Sequence, residues 1–151
     1  MSGEMQAQRD APRVGLVLVS HSPALAEAAK QLALELAGEA APRIAIAAGR
    51  ADGATGTNAT RVAAAISEAS EGVGVVVLTD LGSAVLAADM ALELLNGRID
   101  ARVVPAPFIE GLLAAVVRAS AGDDIDTVAR EASNALTPKR ALLAPPAGAQ
   151  A

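Results

Sequence analysis

The chain has 151 residues, a net charge of −5 at pH 7 and 52% hydrophobic residues, with Phe108 as the only Phe, Tyr or Trp. This length suits one compact domain, whose core must be built from Ala, Val, Leu and Ile. An acidic chain with almost no aromatic surface is poorly suited to bind nucleic acid or an anionic membrane, because it offers neither base stacking nor phosphate neutralisation.

The N-terminal half is predicted to alternate strands with helices. Residues 1–12 are polar, without the apolar stretch of a signal peptide, and are expected to form a disordered leader. The apolar run Val14–Val19 predicts a buried parallel strand. Apolar residues at helical spacing predict a helix over Ala24–Ala37, with Ser22 as its N-cap. A second strand is predicted over Arg43–Ala47.

The C-terminal half continues this alternation. In chain order, the sequence predicts a helix over Ala59–Ser70, a strand over Gly74–Leu78, a helix over Ala84–Leu95, a strand over Ala101–Val104, a helix over Ile109–Ala119 and a last helix after Asp124. Residues 137–151 are rich in Pro, Ala and Gly without periodicity, and this tail is expected to be disordered. The folded domain is therefore placed at residues 13–136.

Strands that alternate with helices imply right-handed crossovers and a parallel sheet covered on both faces. The predicted fold class is α/β: a single doubly wound domain with a mostly parallel four-stranded sheet in the order 2-1-3-4. No apolar run approaches the roughly 20 residues that a membrane-spanning helix needs, so we expect a cytoplasmic protein.

The chain has no Cys and a single His, His21. These counts exclude disulfides, a thiol nucleophile, and thiolate or multi-histidine metal sites within one chain, so no metal or cofactor is expected. The common glycine-rich nucleotide motifs and the G-x-S-x-G motif of α/β-hydrolases are missing from the sequence. His21 is therefore the main candidate nucleophile.

The strand order places His21 beside an acidic residue. Ligands of open α/β sheets bind at the carboxyl ends of the strands, where the strand order reverses. In a 2-1-3-4 order, the turns after the first and third strands flank this point, so we expect His21 and Asp80 to face one crevice. A carboxylate that accepts a hydrogen bond from one imidazole nitrogen leaves the other as a nucleophile and stabilises the cation formed. Asp80 is expected to orient a phosphorylated His21; capping of the next helix is its alternative role.

A phosphoryl group on His21 needs hydrogen-bond donors for its oxygens. Backbone N–H groups at the starts of the two flanking helices can supply them, as can the turn that closes the long loop after the second strand. The predicted phosphoryl-binding residues are Ser22, Gly56, Thr57, Asn58, Gly82 and Ser83. Gly82 and Ser83 equally suit a turn and a helix N-cap, and both interpretations stay open at this point.

Several short motifs, taken in this order, resemble those of a known family. They are Ser20-His21-Ser22, Ile46-Ala47-Ala48-Gly49, Gly56-Thr57-Asn58, Leu78-Thr79-Asp80-Leu81-Gly82-Ser83-Ala84 and Ala106-Pro107-Phe108-Ile109-Glu110-Gly111. Over roughly Val14–Leu136 the chain resembles the phosphoryl-donor subunits of PEP-dependent dihydroxyacetone kinases, which belong to the mannose-type EIIA family of the bacterial phosphotransferase system. Each motif is short, but their order and their placement at strand ends make the combination specific.

This resemblance implies a cytoplasmic homodimer that is one component of a phosphotransferase. His21 would accept a phosphoryl group from the small carrier protein HPr and pass it to ADP on a separate nucleotide-binding subunit, which phosphorylates dihydroxyacetone on a third subunit. The alternative within the fold is an EIIA of a mannose-type sugar transporter. That type has Thr-His-Gly and Gly-Gly-Ser-Pro where this chain has Ser20-His21-Ser22 and Leu81-Gly82-Ser83-Ala84. A non-catalytic flavodoxin-like binding module is the alternative from another class.

The predicted helix after Ser83 is apolar on most sides, with Asp89 and Glu93 as its charged residues. In so small a domain this excess of apolar surface predicts the homodimer interface. The alternative is that its small residues only pack between layers of the fold.

Overall fold

The computed structural model describes residues 11–49 and 58–145. The strands are β1 (Gly15–Ser20), β2 (Ile44–Ala48), β3 (Val75–Thr79) and β4 (Ala101–Val103). The helices are α1 (Pro23–Ala37), α2 (Ala59–Ala69), α3 (Gly82–Leu95), α4 (Phe108–Ser120), α5 (Ile125–Ser133) and α6 (Thr137–Leu143). The elements predicted up to α4 begin and end within about two residues of their expected bounds, which is the usual uncertainty of helix and strand ends.

The four strands form one parallel sheet in the order β2-β1-β3-β4. The central strand β1 pairs with both β2 and β3, so that Leu18 lies opposite Ile46 on one side and Leu78 on the other. Both central strands are buried along their whole length, as expected for a parallel sheet covered on both faces. The α/β class and the strand order 2-1-3-4 are confirmed.

The sheet separates two layers of helices. Successive strand residues point to opposite faces, so Leu18 packs with α1, α4 and α5, whereas Val19 packs with α2 and α3. The helices approach the sheet closely because most of their inward side chains are alanines. At Gly15 a Cβ atom would lie 2.1 Å from the carbonyl oxygen of Ala69, so only glycine fits under the end of α2.

Polar side chains cap three helix starts. The Ser22 side chain accepts a hydrogen bond from the Leu25 backbone N–H at 3.2 Å, which confirms the predicted cap of α1. Asn58 caps α2 and Asp124 caps α5 in the same way. These contacts satisfy backbone N–H groups that have no partner within the helix.

Within the described residues, no helix is long and apolar enough to cross a membrane.

The C-terminal tail is more ordered than the sequence predicts. Residues 137–143, predicted to be disordered, form α6. None of its residues is buried; it is held by local backbone hydrogen bonds and by an ion pair between Lys139 Nζ and Glu110 Oε2 at 2.8 Å. Composition does not predict this helix, because α6 forms without burying any of its residues. The rest of the tail, the leader and the domain limits 13–136 stay predictions, and residues 1–10 and 146–151 lie outside the described part.

Truncation after Thr137 should therefore have little effect on stability. It removes α6 and the exposed ion pair of Lys139 with Glu110, and exposed pairs contribute little because solvent screens them. We expect a melting temperature, followed by circular dichroism, within a few degrees of that of the full chain. A much larger drop would show that α6 packs as part of the folded domain.

Candidate functional site

The candidate site lies at the carboxyl ends of β1 and β3, the two central strands. β1 leads into α1 on one face of the sheet, and β3 leads into α3 on the other face. This divergence opens a crevice at the point where the strand order reverses. His21 directly follows β1 and Asp80 directly follows β3, so the structure brings together the two residues that the sequence predicted to meet.

The Asp80 carboxylate holds His21 at two points. Oδ1 lies 3.0 Å from the ring atom Nδ1, and Oδ2 accepts a hydrogen bond from the His21 backbone N–H, also at 3.0 Å. The Asp80 side chain is 8% exposed and the His21 side chain 25% exposed. The carboxylate is therefore enclosed, whereas the imidazole reaches the surface with its position and orientation fixed.

Ser20 and Leu81 complete the surroundings of the carboxylate. The Ser20 hydroxyl lies 2.9 Å from Asp80 Oδ2, and the Leu81 backbone N–H donates to Oδ1 at 2.7 Å. Ser20 is fully buried and also accepts a hydrogen bond from the Ser22 backbone N–H. Ser20 was not among the predicted site residues; the available signal was a hydroxyl at the end of an otherwise apolar strand.

These contacts decide the charge of Asp80. Burial alone raises the pKa of Asp80, but hydrogen bonds from the His21 backbone and ring, from Ser20 and from the Leu81 backbone outweigh it, and the net pKa is below its ordinary value. The carboxylate is thus ionised at neutral pH. An anion at this position accepts the Nδ1 proton, so we assign the lone pair of the imidazole to Nε2.

Nε2 of His21 faces the first turn of α3. Its hydrogen-bond partner is the hydroxyl of Ser83, which donates to the lone pair. α3 begins after Leu81 without a side-chain cap, and this corrects the interpretation of Ser83 as an N-cap, since Ser83 lies inside the helix. The uncapped backbone N–H groups of Gly82 and Ser83 therefore start the helix beside the histidine, where they favour an anion.

The other predicted phosphoryl-binding residues are less closely joined to His21. The Ser22 hydroxyl is already engaged as the α1 cap. Asn58 accepts a hydrogen bond from the Arg61 backbone N–H, and no hydrogen bond links it to the other described site residues. Gly56 and Thr57 lie outside the described residues. The structure therefore places Asp80 and Ser83 in direct contact with the His21 ring, whereas the Ser22 hydroxyl caps α1.

A cleft of about 680 Å³ adjoins the site on the side of β4. It lies between α3 and the turn after β4, and its wall includes Asp80, Leu81, Val85 and Pro105. His21 does not line this cleft, although its partner Asp80 does. Among the described residues, no three acidic or histidine side chains are grouped so that they could hold a metal ion. The His21 side chain is 25% exposed, so the imidazole is accessible to a group presented by another molecule.

The sequence matches the model of a known protein family. A family model named EIIA-man, described as the PTS system fructose IIA component, matches residues 15–129. The chain belongs to the EIIA-man family. The match begins at the first residue of β1 and extends into α5, so it includes the whole sheet and both site residues, His21 and Asp80.

Individual relatives carry one function in their names. The chain is 44% identical over 137 residues to the phosphoryl donor subunit DhaM of PEP-dependent dihydroxyacetone kinase from Escherichia coli strain K12, covering 88% of this chain and 29% of the relative. The corresponding subunit of Klebsiella michiganensis is 43% identical over 141 residues, covering 91% and 30%. The chain thus spans less than a third of these relatives. The phosphoryl donor subunit DhaM of PEP-dependent dihydroxyacetone kinase 2 from Listeria innocua is 31% identical over 123 residues, covering 80% of this chain and 98% of the relative.

Solved structures agree on the fold. The crystal structure of a protein of unknown function has a TM-score of 0.69 and 29% identity, covering 81% of this chain and 94% of its own. A sigma-54 interaction domain protein from Enterococcus faecalis has a TM-score of 0.68 at 18% identity, covering 89% and 98%. The second likeness supports the fold alone.

Asp80→Asn should remove a pH-dependent part of the stability. Because folding lowers the pKa of Asp80, the carboxylate stabilises the folded protein fully above its unfolded pKa of about 3.9, and this contribution falls as the pH drops through the folded-state value. Urea unfolding should show a larger loss for Asp80→Asn at pH 7 than at pH 3.

The matched control is Asp89→Asn, which changes an exposed aspartate further along α3. It should leave the stability nearly unchanged at both pH values. An Asp80→Asn deficit that is equal at pH 7 and pH 3 would contradict the assignment of an ionised, hydrogen-bonded carboxylate.

Proposed function

We propose that the protein is a cytoplasmic phosphohistidine carrier. It accepts a phosphoryl group on Nε2 of His21 from phospho-HPr and passes it to ADP bound on the nucleotide subunit of a PEP-dependent dihydroxyacetone kinase. The observation that carries this proposal is the imidazole itself: an ionised Asp80 holds Nδ1, so the lone pair lies on Nε2, which faces the start of α3 on a side chain that is 25% exposed. Family membership and the names of the relatives support the same chemistry.

The first transfer loads His21. The lone pair of Nε2 forms a bond to phosphorus while the phosphorus–nitrogen bond of the donor breaks, and its electron pair returns to the donor imidazole. The Nδ1 proton stays in place, so His21 becomes cationic, and its hydrogen bond to the Asp80 carboxylate then joins two opposite charges. Asp80 thus opposes the cost of charging the ring and keeps the ring aligned.

The start of α3 receives the phosphoryl oxygens in this scheme. The Ser83 hydroxyl, which occupies Nε2 in the unloaded site, turns away as the new bond forms and donates to a phosphoryl oxygen. The backbone N–H groups of Gly82 and Ser83 add further donors. Ser22 and the Gly56-Thr57-Asn58 turn remain proposed contacts of the same group.

The second transfer unloads His21. A terminal phosphate oxygen of ADP attacks phosphorus, the bond from phosphorus to Nε2 breaks, and Nε2 recovers its electron pair while the acceptor becomes ATP. The partner subunit supplies the nucleotide site in this scheme. The His21 side chain is partly exposed and does not line the neighbouring cleft, which suits an exchange between two macromolecules.

A second candidate is the EIIA component of a mannose-type sugar transporter. The family description, which names a fructose IIA component, favours keeping it. The two candidates share the loaded histidine and differ in the acceptor. Phosphorylated protein mixed with ADP and the nucleotide subunit of dihydroxyacetone kinase should form ATP under the first proposal, whereas the second predicts transfer only to a transporter subunit.

Variants of His21 and Asp80 test the carrier itself. Incubated with PEP, enzyme I and HPr, the wild type should gain one acid-labile phosphate, and His21→Ala should gain none while keeping its melting temperature. Asp80→Asn loses a charge-assisted hydrogen bond of about 1.5–3 kcal/mol, so transfer should slow roughly ten- to a hundredfold. Labelling of His21→Ala at the wild-type level would end the proposal.

A homodimer through α3 is part of the same proposal. The inward side of α3 is alanine, packed on the sheet, whereas its outward side exposes Leu86, Met90 and Leu94 by 67%, 59% and 54%. Layer packing therefore accounts for one side of the helix only. Three large apolar side chains spaced four residues apart form a continuous stripe, and a second copy of the chain would remove it from water.

Met90→Glu tests this interface. A charge placed in a dimer contact would be buried without a partner, at a cost of several kcal/mol, so sedimentation should show monomers. Val117→Glu, which adds the same charge at an exposed apolar residue of α4, is the control and should remain dimeric. A wild type that sediments as a monomer at high concentration would refute the dimer.

A further inference from the structure

Arg61 places a positive charge at the edge of the candidate site. It lies in the first turn of α2, and its Nη1 atom is 3.5 Å from the carbonyl oxygen of Gly49. Gly49 follows β2, and its backbone N–H donates to the Ser20 carbonyl at 3.2 Å. Because β1 and β2 pair in parallel with Ser20 opposite Ala48, the next position sets Gly49 opposite His21. Neighbouring strands are about 4.8 Å apart, so the guanidinium is within reach of a group carried by His21.

The guanidinium is not committed to another charge in the described structure. Arg102 pairs with Asp100 and Asp126, and Arg118 pairs with Asp123. For Arg61, in contrast, the described residues provide no carboxylate within ion-pair distance, and its long contact with a carbonyl is weak. The side chain can therefore turn toward an anion without breaking an ion pair to a described residue.

A phosphoryl group on His21 creates a need for such a cation. It brings close to two negative charges at neutral pH, and the ionised Asp80 lies on the other side of the same imidazole. Asp80 stabilises the charged ring but repels the phosphoryl oxygens. Backbone N–H groups at a helix start carry only about half a positive charge, so a full charge from an arginine fork complements them.

We propose that Arg61 binds a non-bridging oxygen of the phosphoryl group on His21 and is a further catalytic residue of the transfer. The inference rests on the proposed phosphohistidine carrier. While the phosphorus–nitrogen bond of the donor breaks and the bond to Nε2 forms, Arg61 holds the equatorial oxygens. It shifts the equilibrium toward the loaded protein and lowers the barrier to loading.

The test measures how a phosphoryl group is shared between isolated phospho-HPr and this protein. At equilibrium, phosphorus NMR gives the amounts of the two phosphohistidines. Arg61→Gln should lower the equilibrium constant for loading about tenfold, the effect expected for one partly exposed charge-assisted hydrogen bond. Arg61→Lys, which keeps the charge, should recover most of it. The melting temperatures of both variants should match the wild type, since Arg61 is exposed.

Arg130→Gln is the matched control. Arg130 is an exposed arginine on α5, on the opposite face of the sheet, and its removal lowers the net charge equally. An unchanged equilibrium in Arg61→Gln, equal losses in both glutamine variants, or no recovery by Arg61→Lys would each overturn the role of Arg61 and leave the carrier standing. A wild type that accepts no phosphate would overturn the carrier and this inference together.

Discussion

The Asp80 carboxylate is the interaction on which the site and the centre of the fold both depend. Its two oxygens accept hydrogen bonds from the His21 backbone, the His21 ring, Ser20 and the Leu81 backbone, so one side chain joins the carboxyl ends of β1 and β3. Those strands send their helices to opposite faces of the sheet, and the carboxylate joins their ends in addition to the backbone hydrogen bond from the Asp80 N–H to the Val19 carbonyl. The hydrogen bonds that join the strands also lower the pKa of Asp80 and keep it ionised. The same contacts therefore hold the strand ends together and maintain the negative charge that the proposed mechanism uses.

The composition of the chain explains what surrounds this junction. A core without large aromatic residues is closed by bringing backbones together, as Gly15 does under Ala69, where any side chain would collide. Thin layers built from alanine leave little volume to hide large aliphatic residues. These residues therefore appear outside, at Leu86 and Met90 on α3 and at Leu32 on α1. The apolar stripe on α3, proposed as a dimer contact, is thus a consequence of how the core is packed. The sheet beneath α3 holds the end of β1, and with it His21, in place.

Sequence periodicity was enough to predict the strands, the helices and a parallel sheet. Given the strand order 2-1-3-4, the meeting of His21 with Asp80 follows from the positions of the two strand ends. Other features depend on side-chain conformations or distant contacts that no local pattern encodes. The hydroxyl of Ser20 turns toward Asp80, 60 residues away. Ser83 looked like a helix cap, but the cap position belongs to Leu81, which places the Ser83 hydroxyl on Nε2 instead. Helix α6 lies beside Glu110, where Lys139 pairs with the Glu110 carboxylate, and composition does not reveal this contact.

A phosphoryl carrier must bind the phosphoryl group and also release it, and the charges around His21 suit that requirement. Asp80 favours the cationic ring but repels the phosphoryl dianion, so its two effects on the loaded state partly cancel. Donors at the start of α3 and the guanidinium of Arg61 act on the oxygens in the opposite direction. Since the imidazole is partly exposed, water screens each of these terms, and none of them becomes large enough to trap the group. In the proposed carrier, opposing charges of this kind keep the loaded state from becoming so stable that the phosphoryl group cannot leave His21, or so unstable that His21 cannot be loaded.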